Sequence, residues 1–201
     1  MARLARIVIP GVAHHVTQRG NRRLPVFFGD DDRGLYLRLV SESCAAAGVR
    51  CLAWCLMDNH VHLILVPETG DGLRAALGEA HRRYTRAVNF REGWRGYLFQ
   101  GRFASYPMDD GHLMAAVRYV ELNPVAARMV GKVRDWRWSS ARSHLAGKRA
   151  QDDPLTDTAA LAAEEWIARQ EAATGRTVRR RASIASASAS PSASTPPASR
   201  P

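Results

Sequence analysis

Two apolar runs separated by only two residues constrain this chain more than any other stretch. Val49–Met57 and His60–Val66 flank Asp58 and Asn59. The second run ends in Leu63-Ile64-Leu65-Val66 and reads as a buried strand. So short a connection forces a tight β-hairpin, and Asp and Asn suit it because both tolerate φ > 0. His60 and His62 interrupt the second run. Alternate residues of a strand share a face, so the two imidazoles point the same way, roughly 6–7 Å apart along the chain. That spacing lets them converge on one metal ion, for which neutral imidazole is a common ligand. Histidine pairs also occur as ordinary core or surface residues, and the rest of the chain has to separate the two readings.

Around this pair the other elements follow in order. Residues 12–18 read as a first strand, and Arg19, Arg22 and Arg23 with Gly20 and Asn21 make a basic loop. Asp30, Asp31 and Asp32 favour a helix start, and Leu35, Tyr36, Leu39, Val40 and Cys44 recur at helical spacing until Gly48 stops them. The expected helix is 31–47. A second helix, 73–90, carries Leu73, Ala76, Leu77, Ala80, Tyr84 and Val88 on one side and Arg74, Arg82, Arg83 and Arg86 over much of the rest. Tyr97 to Phe103 reads as a fourth strand, broken at Gly101 and resuming to Tyr106. The fold class is therefore α+β: a ferredoxin-like β-α-β-β-α-β antiparallel sheet with helices on one face.

C-terminal helices follow. Asp109-Asp110 caps a third helix, 111–122, which Pro124 is expected to end, and Val125 to Val130 begins another. Ser139 or Ser140 caps a short helix to Leu145, and 157–173 reads as an accessory helix. From Arg176 on, the Ser/Ala/Pro run has too little apolar surface to offset its chain entropy, so a disordered tail is expected. The domains expected are 1–148, an accessory helical segment 149–175 and the basic tail 176–201.

The charge is uneven. The chain carries 29 Lys and Arg against 19 Asp and Glu, a net +10, and only Lys132 and Lys148 are lysine. Arginine offers a planar fork for phosphate, which favours nucleic acid as a partner, although a basic protein from a GC-rich genome has the same composition. No run reaches the roughly 18–20 apolar residues of a membrane span, and the N-terminal stretch has no signal-peptide core. Cys44, Cys51 and Cys55 are odd in number and are expected as reduced thiols. A cytoplasmic, nucleoid-associated location and no membrane partner are expected.

The third helix supplies the remaining chemistry. Tyr119 and Asn123 are four residues apart and share a helix face. A tyrosine hydroxyl can attack phosphorus, and an amide oxygen can complete the shell of Mg²⁺ or Mn²⁺ begun by two histidines. Equally, such a tyrosine can be core and such an asparagine a helix cap. Glu121 between them suits either a supporting role or a solvent-facing one. Among the other tyrosines, Tyr84 is the rival nucleophile, since Arg82, Arg83 and Arg86 surround it.

His60-Val61-His62 with a downstream helical tyrosine resembles the single-tyrosine HUH endonucleases. Further blocks resemble one branch, the REP-associated tyrosine transposases, relatives of the small insertion-sequence transposases. These are His15-Val16-Thr17-Gln18-Arg19-Gly20-Asn21, Met57 to Leu63, Phe99-Gln100-Gly101-Arg102-Phe103, Arg118 to Val125, and Trp138-Ser139-Ser140. Together they span residues 11–145; the resemblance does not extend over 150–201. It implies a ferredoxin-like fold and metal-dependent cleavage and rejoining of single-stranded DNA beside a DNA hairpin. Tyr119 would be the nucleophile, leaving a 5′-phosphotyrosyl enzyme and a free 3′-OH. His60, His62 and Asn123 would hold Mg²⁺ or Mn²⁺. Arg19, Arg22, Arg23, Arg102 and Arg118 are the candidates for DNA contact, with a monomer or homodimer as the assembly.

Two rivals remain. A zinc site from Cys55, His60 and His62 would lack a fourth ligand, because Cys51 lies roughly 13 Å further along the strand. A catalytically silent single-stranded DNA- or hairpin-binding protein would need only the basic loops and stacking aromatics such as Trp94, Phe99 and Phe103. Convergence of His60, His62, Tyr119 and Asn123 within a few ångströms separates the enzyme from this second rival.

Overall fold

In the computed structural model, which describes residues 6–157, the elements run β1 (His14–Arg19), α1 (Asp30–Ala46), β2 (Val49–Met57), β3 (His60–Pro67), α2 (Gly72–Glu92), β4 (Ala104–Pro107), α3 (Asp110–Ala126) and α4 (Ala141–Leu145). Short 3₁₀ turns occupy Asn21–Arg23 and Val133–Asp135. The strands form one antiparallel sheet in the order β2-β3-β1-β4. This is the ferredoxin-like topology. No helix among the described residues is long and apolar enough to cross a membrane.

Strand alternation sorts the core into two layers. Val16 of β1, Trp54 and Leu56 of β2, and Val61, Leu63 and Leu65 of β3 pack under α1 and α2. Ile64 and Val66 face the other way, beneath Val117 and Val120 of α3. His60 and His62 share that second face by parity. The two helices of the β-α-β-β-α-β unit thus cover one face as expected, and α3 covers the half of the other face next to the histidines. Burying Val117 and Val120 completely stabilises that seam by roughly 1.5–3 kcal/mol each.

A register shift between Cys51 and Ala53 turns Leu52 and Ala53 both toward α3. Cys51 therefore faces α1 and α2 while Cys55 faces α3. The outer edge of β2 is closed by the chain that follows α3. Leu56 N donates to Trp138 O at 2.9 Å, Ser140 N to Trp54 O at 3.0 Å, and Asp157 N to Cys51 O at 2.8 Å. These bonds cover an edge that would otherwise be open to pairing.

Several expectations are corrected. The fourth strand is Ala104–Pro107, not 97–103; Leu98, Phe99 and Phe103 are apolar because they close over the α2 layer, and only Phe99 bridges to Gly20. Pro124 does not end α3, which runs to Ala126 without a separate helix at 125–130. The strain of a residue preceding proline is tolerated here because Val120 and Glu121 are fully buried and hold the helix in place. Arg128, at φ 60°, makes the actual stop. Asp58 and Asn59 turn the chain without positive φ, which instead falls on Arg22 and Arg23. The first helix starts after Gly29 without a side-chain cap; Asp32 accepts from Phe28 N at 2.8 Å and pairs with Arg91. Ser140 precedes α4 but caps nothing, since its hydroxyl serves Glu121 and Trp54. Residues 149–157 are not helical: Asp153 and Thr156 receive the Trp54 indole N–H at 3.2 and 3.0 Å. The expected helix beyond Asp157 and the tail lie outside the described residues.

Candidate active site

The site forms where the start of β3 passes beneath α3. The rings of His60 and His62 lie with centroids 5.0 Å apart. Tyr119 stands edge-on to His62, centroids 5.6 Å apart at 89°. Tyr119 as a whole remains 55% exposed, so it rests on the histidines and stays open to a large substrate. The structure thus brings His60 and His62 together with Tyr119, which lies far from them in sequence.

It also adds a residue that the sequence reading passed over. His15 of β1 places Nε2 3.0 Å from His62 Nδ1, stacks on that ring at 5.2 Å, and meets Tyr119 at 5.9 Å. The available signal was the topology: β1 lies beside β3, with Thr17 opposite His62, so odd-numbered β1 residues line the histidine face. Asn59 is a second such residue. Its Oδ1 lies 2.7 Å from His60 Nδ1, and its Nδ2 donates to Arg23 O at 2.9 Å.

The electrostatics keep the imidazoles neutral. Burial, then the neighbouring His60, His15 and Arg19, pushes His62 down to about 3. Burial, then Arg19, also lowers His60, and burial lowers His15. Neutral imidazole is the form that binds metal, so no proton has to be displaced near neutral pH.

Asn123 lies one helical turn beyond Tyr119, and its Nδ2 donates to Tyr119 O at 2.9 Å. That bond does not occupy the amide oxygen, the end of the side chain suited to a hard cation. Imidazole nitrogen and amide oxygen are donor types that Mg²⁺ or Mn²⁺ accepts; the ring contacts gather the two histidines and Tyr119, while the Asn123 amide is tied to its own helix. Among the described residues, no group of three or more His, Cys, Asp and Glu side chains is gathered to hold a metal ion. The zinc reading fails with it: Cys55 is opposite His62 as anticipated, but it is buried, its thiol points at Met57 Sδ, and burial pushes its pKa far up.

Tyr119 owes its position to the buried side of α3. Glu121 is fully buried; its Oε1 accepts from Ser140 Oγ and lies 2.6 Å from His144 Nδ1. Burial raises its pKa, while His144 and Ser140 pull it back. Ser140 Oγ in turn accepts from Trp54 N at 3.1 Å. The Trp138-Ser139-Ser140 block therefore ties α3 to β2, and Glu121 supports the site and does not face water.

The basic residues divide between two surfaces. Arg19 lies opposite His60 in the β1–β3 register and is exposed. Arg22 and Arg23 project from a 3₁₀ turn with φ of 53° and 62°, a left-handed conformation costing about 1–2 kcal/mol per residue. The turn is stapled to the β2–β3 connection, with Gly20 N donating to Asn59 O at 2.8 Å and Val26 N to Asp58 O at 2.9 Å, and to the segment between α2 and β4, with Asn21 N donating to Leu98 O at 2.8 Å. Arg118 adjoins Tyr119 and is half-buried. Arg102 is elsewhere. It lines a groove of about 630 Å³ between α2 and residues 96–103, with Arg6, Arg82 and Arg86, against the opposite face of the sheet. Of the candidate stacking aromatics, Phe99 and Phe103 belong to the core, and only Trp94 is exposed.

A family model of IS200-like transposases matches residues 9–123, from just before β1 to Asn123. A Haemophilus influenzae protein described as a REP-associated tyrosine transposase is 26% identical over 110 residues, which cover 49% of this chain and 62% of the relative. The chain thus matches less than two thirds of that protein's length. The structure of a REP-associated tyrosine transposase bound to a REP hairpin superposes with a TM-score of 0.63 at 22% identity, over 79% of this chain and 93% of the other. A Deinococcus radiodurans protein described as a transposase aligns more loosely, with a TM-score of 0.42 at 20% identity over 59% and 94% of the two chains.

Proposed function

We propose, from the premise that this chain belongs to the IS200-like transposase family, that it nicks and rejoins single-stranded DNA beside a DNA hairpin with Tyr119 as nucleophile. The observation that carries this reading is the contact of Tyr119 with His62, itself next to His60. A protein that only bound DNA would have no need of that convergence.

In this reading the Tyr119 hydroxyl loses its proton and its oxygen attacks the scissile phosphorus. The bond from phosphorus to the 3′ oxygen breaks, and that oxygen takes up a proton. The products are a 5′-phosphotyrosine and a free 3′-OH. Attack by a second 3′-OH reverses the step and joins new ends, so no nucleotide triphosphate is consumed. When bound, a Mg²⁺ or Mn²⁺ ion held by His60, His62 and Asn123 supplies Lewis-acid stabilisation of the charge that builds on the phosphate. His15 and Asn59 hold the two imidazoles through their Nδ1 atoms. Arg19, Arg22, Arg23 and Arg118 seat the phosphates flanking the cut. Arg102 and its groove take the backbone of the hairpin on the far face. A similar transposase has been solved bound to a REP hairpin, which supports hairpin-bearing DNA as the partner. A cytoplasmic, nucleoid-associated location follows from such a substrate.

The test is incubation with labelled single-stranded DNA hairpins, followed by denaturing electrophoresis. A DNA-linked protein band is expected with Mg²⁺ or Mn²⁺ and is expected to vanish with EDTA and in His60→Ala. An undiminished band in EDTA would exclude the metal reading, and a band persisting in Tyr119→Phe would exclude the nucleophile.

A further inference from the structure

We infer that Asn59 is a positioning residue that holds His60 with its proton on Nδ1, and that it does so through the seating of the basic loop. Donor and acceptor roles fix both bonds of the amide. Arg23 O is a carbonyl and can only accept, so the atom of Asn59 that lies 2.9 Å from it must be Nδ2, donating. That fixes which way the amide is turned, a choice otherwise open for asparagine. Its other end, Oδ1, then lies 2.7 Å from His60 Nδ1. Oδ1 can only accept, so Nδ1 must carry the proton. A neutral imidazole has one ring proton, and the lone pair is left on Nε2.

This is the arrangement a metal-binding histidine requires, with one nitrogen held by a partner and the other free to ligate. Water-exposed imidazole favours the opposite tautomer, with the proton on Nε2, which cannot ligate through that atom. Asn59 therefore works against the intrinsic preference of His60. His62 has no such anchor: its Nδ1 faces His15 Nε2, and either ring can donate.

The same residue grips the loop twice. Its side chain donates to Arg23 O, and its main-chain oxygen accepts from Gly20 N at 2.8 Å. If the loop lifts, the amide loses the acceptor that fixes its orientation, and His60 loses the constraint on its tautomer. The loop bearing Arg22 and Arg23 and the nitrogen of His60 are therefore one coupled unit, and a phosphate seated on the loop would hold His60 ready. The tautomer stands on geometry alone; its use in metal binding rests on the proposed function.

The experiment uses the full chain, ¹⁵N-labelled and free of metal and DNA. Long-range ¹H–¹⁵N spectra report which ring nitrogen of each histidine is protonated. His60 is expected as the Nδ1–H tautomer, and Asn59→Ala is expected to shift it toward Nε2–H. Asn59→Asp keeps an acceptor for His60 but has no donor for Arg23; it is expected to keep Nδ1–H while the Gly20 amide exchanges faster. An Nε2–H proton on His60 in the unaltered protein would overturn the inference, and so would an unchanged tautomer in folded Asn59→Ala. Mn²⁺ titration should show about 10–100-fold weaker binding in Asn59→Ala. A tautomer switch with no Mn²⁺ binding to the unaltered protein would uphold the role of Asn59 and sink the metal site.

Discussion

Tyr119 and His62 meet at a right angle, centroids 5.6 Å apart, across the seam between α3 and β3. Tyr84 has the opposite surroundings. It is fully buried, and its hydroxyl donates to Val26 O at 2.6 Å. Tyr119→Phe is expected to lose all DNA cleavage while changing hairpin affinity by no more than about 1 kcal/mol, the net worth of one hydrogen bond. Tyr84→Phe should cleave at a near-normal rate but unfold about 1–3 kcal/mol more easily, because it leaves a buried carbonyl unpaired. Peptide mapping of the covalent adduct and urea denaturation check the two halves; DNA on the Tyr84 peptide would overturn the assignment.

A second expectation concerns acid. His62 is ordinarily near 6.5 but is pushed down to about 3 in the fold, chiefly by burial. Between those values the unfolded chain binds the extra proton, so stability falls as pH drops through that window and is complete above it. One such group contributes up to about 1.4 kcal/mol per pH unit. His62→Gln cannot titrate, so its stability should decline less steeply from pH 6 to pH 4. Identical acid slopes for the two proteins would refute this.

The hairpin of β2 and β3 was legible because its information is local: two apolar runs, a two-residue connection and a period of two. The histidine face followed from the same period. His15 was not legible in that way, because its approach to His62 spans 47 residues and depends on the β1–β3 register. Asn59 read only as a turn residue, since the sequence does not show where its amide points. Leu98, Phe99 and Phe103 look like strand residues because burial selects the same side chains whether or not a ladder forms. Pro124 misled for a related reason: the local rule says stop, but the buried Glu121 and Val120 keep the helix in place.

Gly20 shows how closely the basic loop is packed. A Cβ there would lie 2.1 Å from Leu24 O and 2.8 Å from Val26 Cγ1. The obstacle is backbone, so the loop itself must shift. Gly20→Ala should destabilise the fold by about 1–3 kcal/mol as an overpacked site and weaken DNA binding, because Arg22 and Arg23 move with the loop. Thermal unfolding and hairpin affinity are the measurements; an unchanged affinity in the folded variant would show that the loop does not contact DNA.

The two basic surfaces make separable contributions. Arg74, Gly78, Arg82 and Arg86 line the groove at intervals of four, along one row of α2. Arg74 and Arg82 are each held by two hydrogen bonds, to Asp71 and Glu79. Among the described residues no such carboxylate holds Arg86, which makes it the better placed of the three to take a phosphate. The groove lies against the α2 layer, whereas Tyr119 lies on the other face of the sheet, so a contact there cannot touch the scissile phosphate. Arg86→Gln is therefore expected to weaken hairpin binding and reduce the salt slope by about one charge, with the cleavage rate at saturating DNA unchanged. Arg22→Gln should lose a similar amount of slope but also cleave more slowly at saturation, since its loop grips Asn59 beside His60. Binding isotherms across salt concentrations and single-turnover rates separate the two. An unaltered salt slope in Arg86→Gln would remove the groove from the DNA path, and a slowed saturating rate would mean that it reaches the reacting strand.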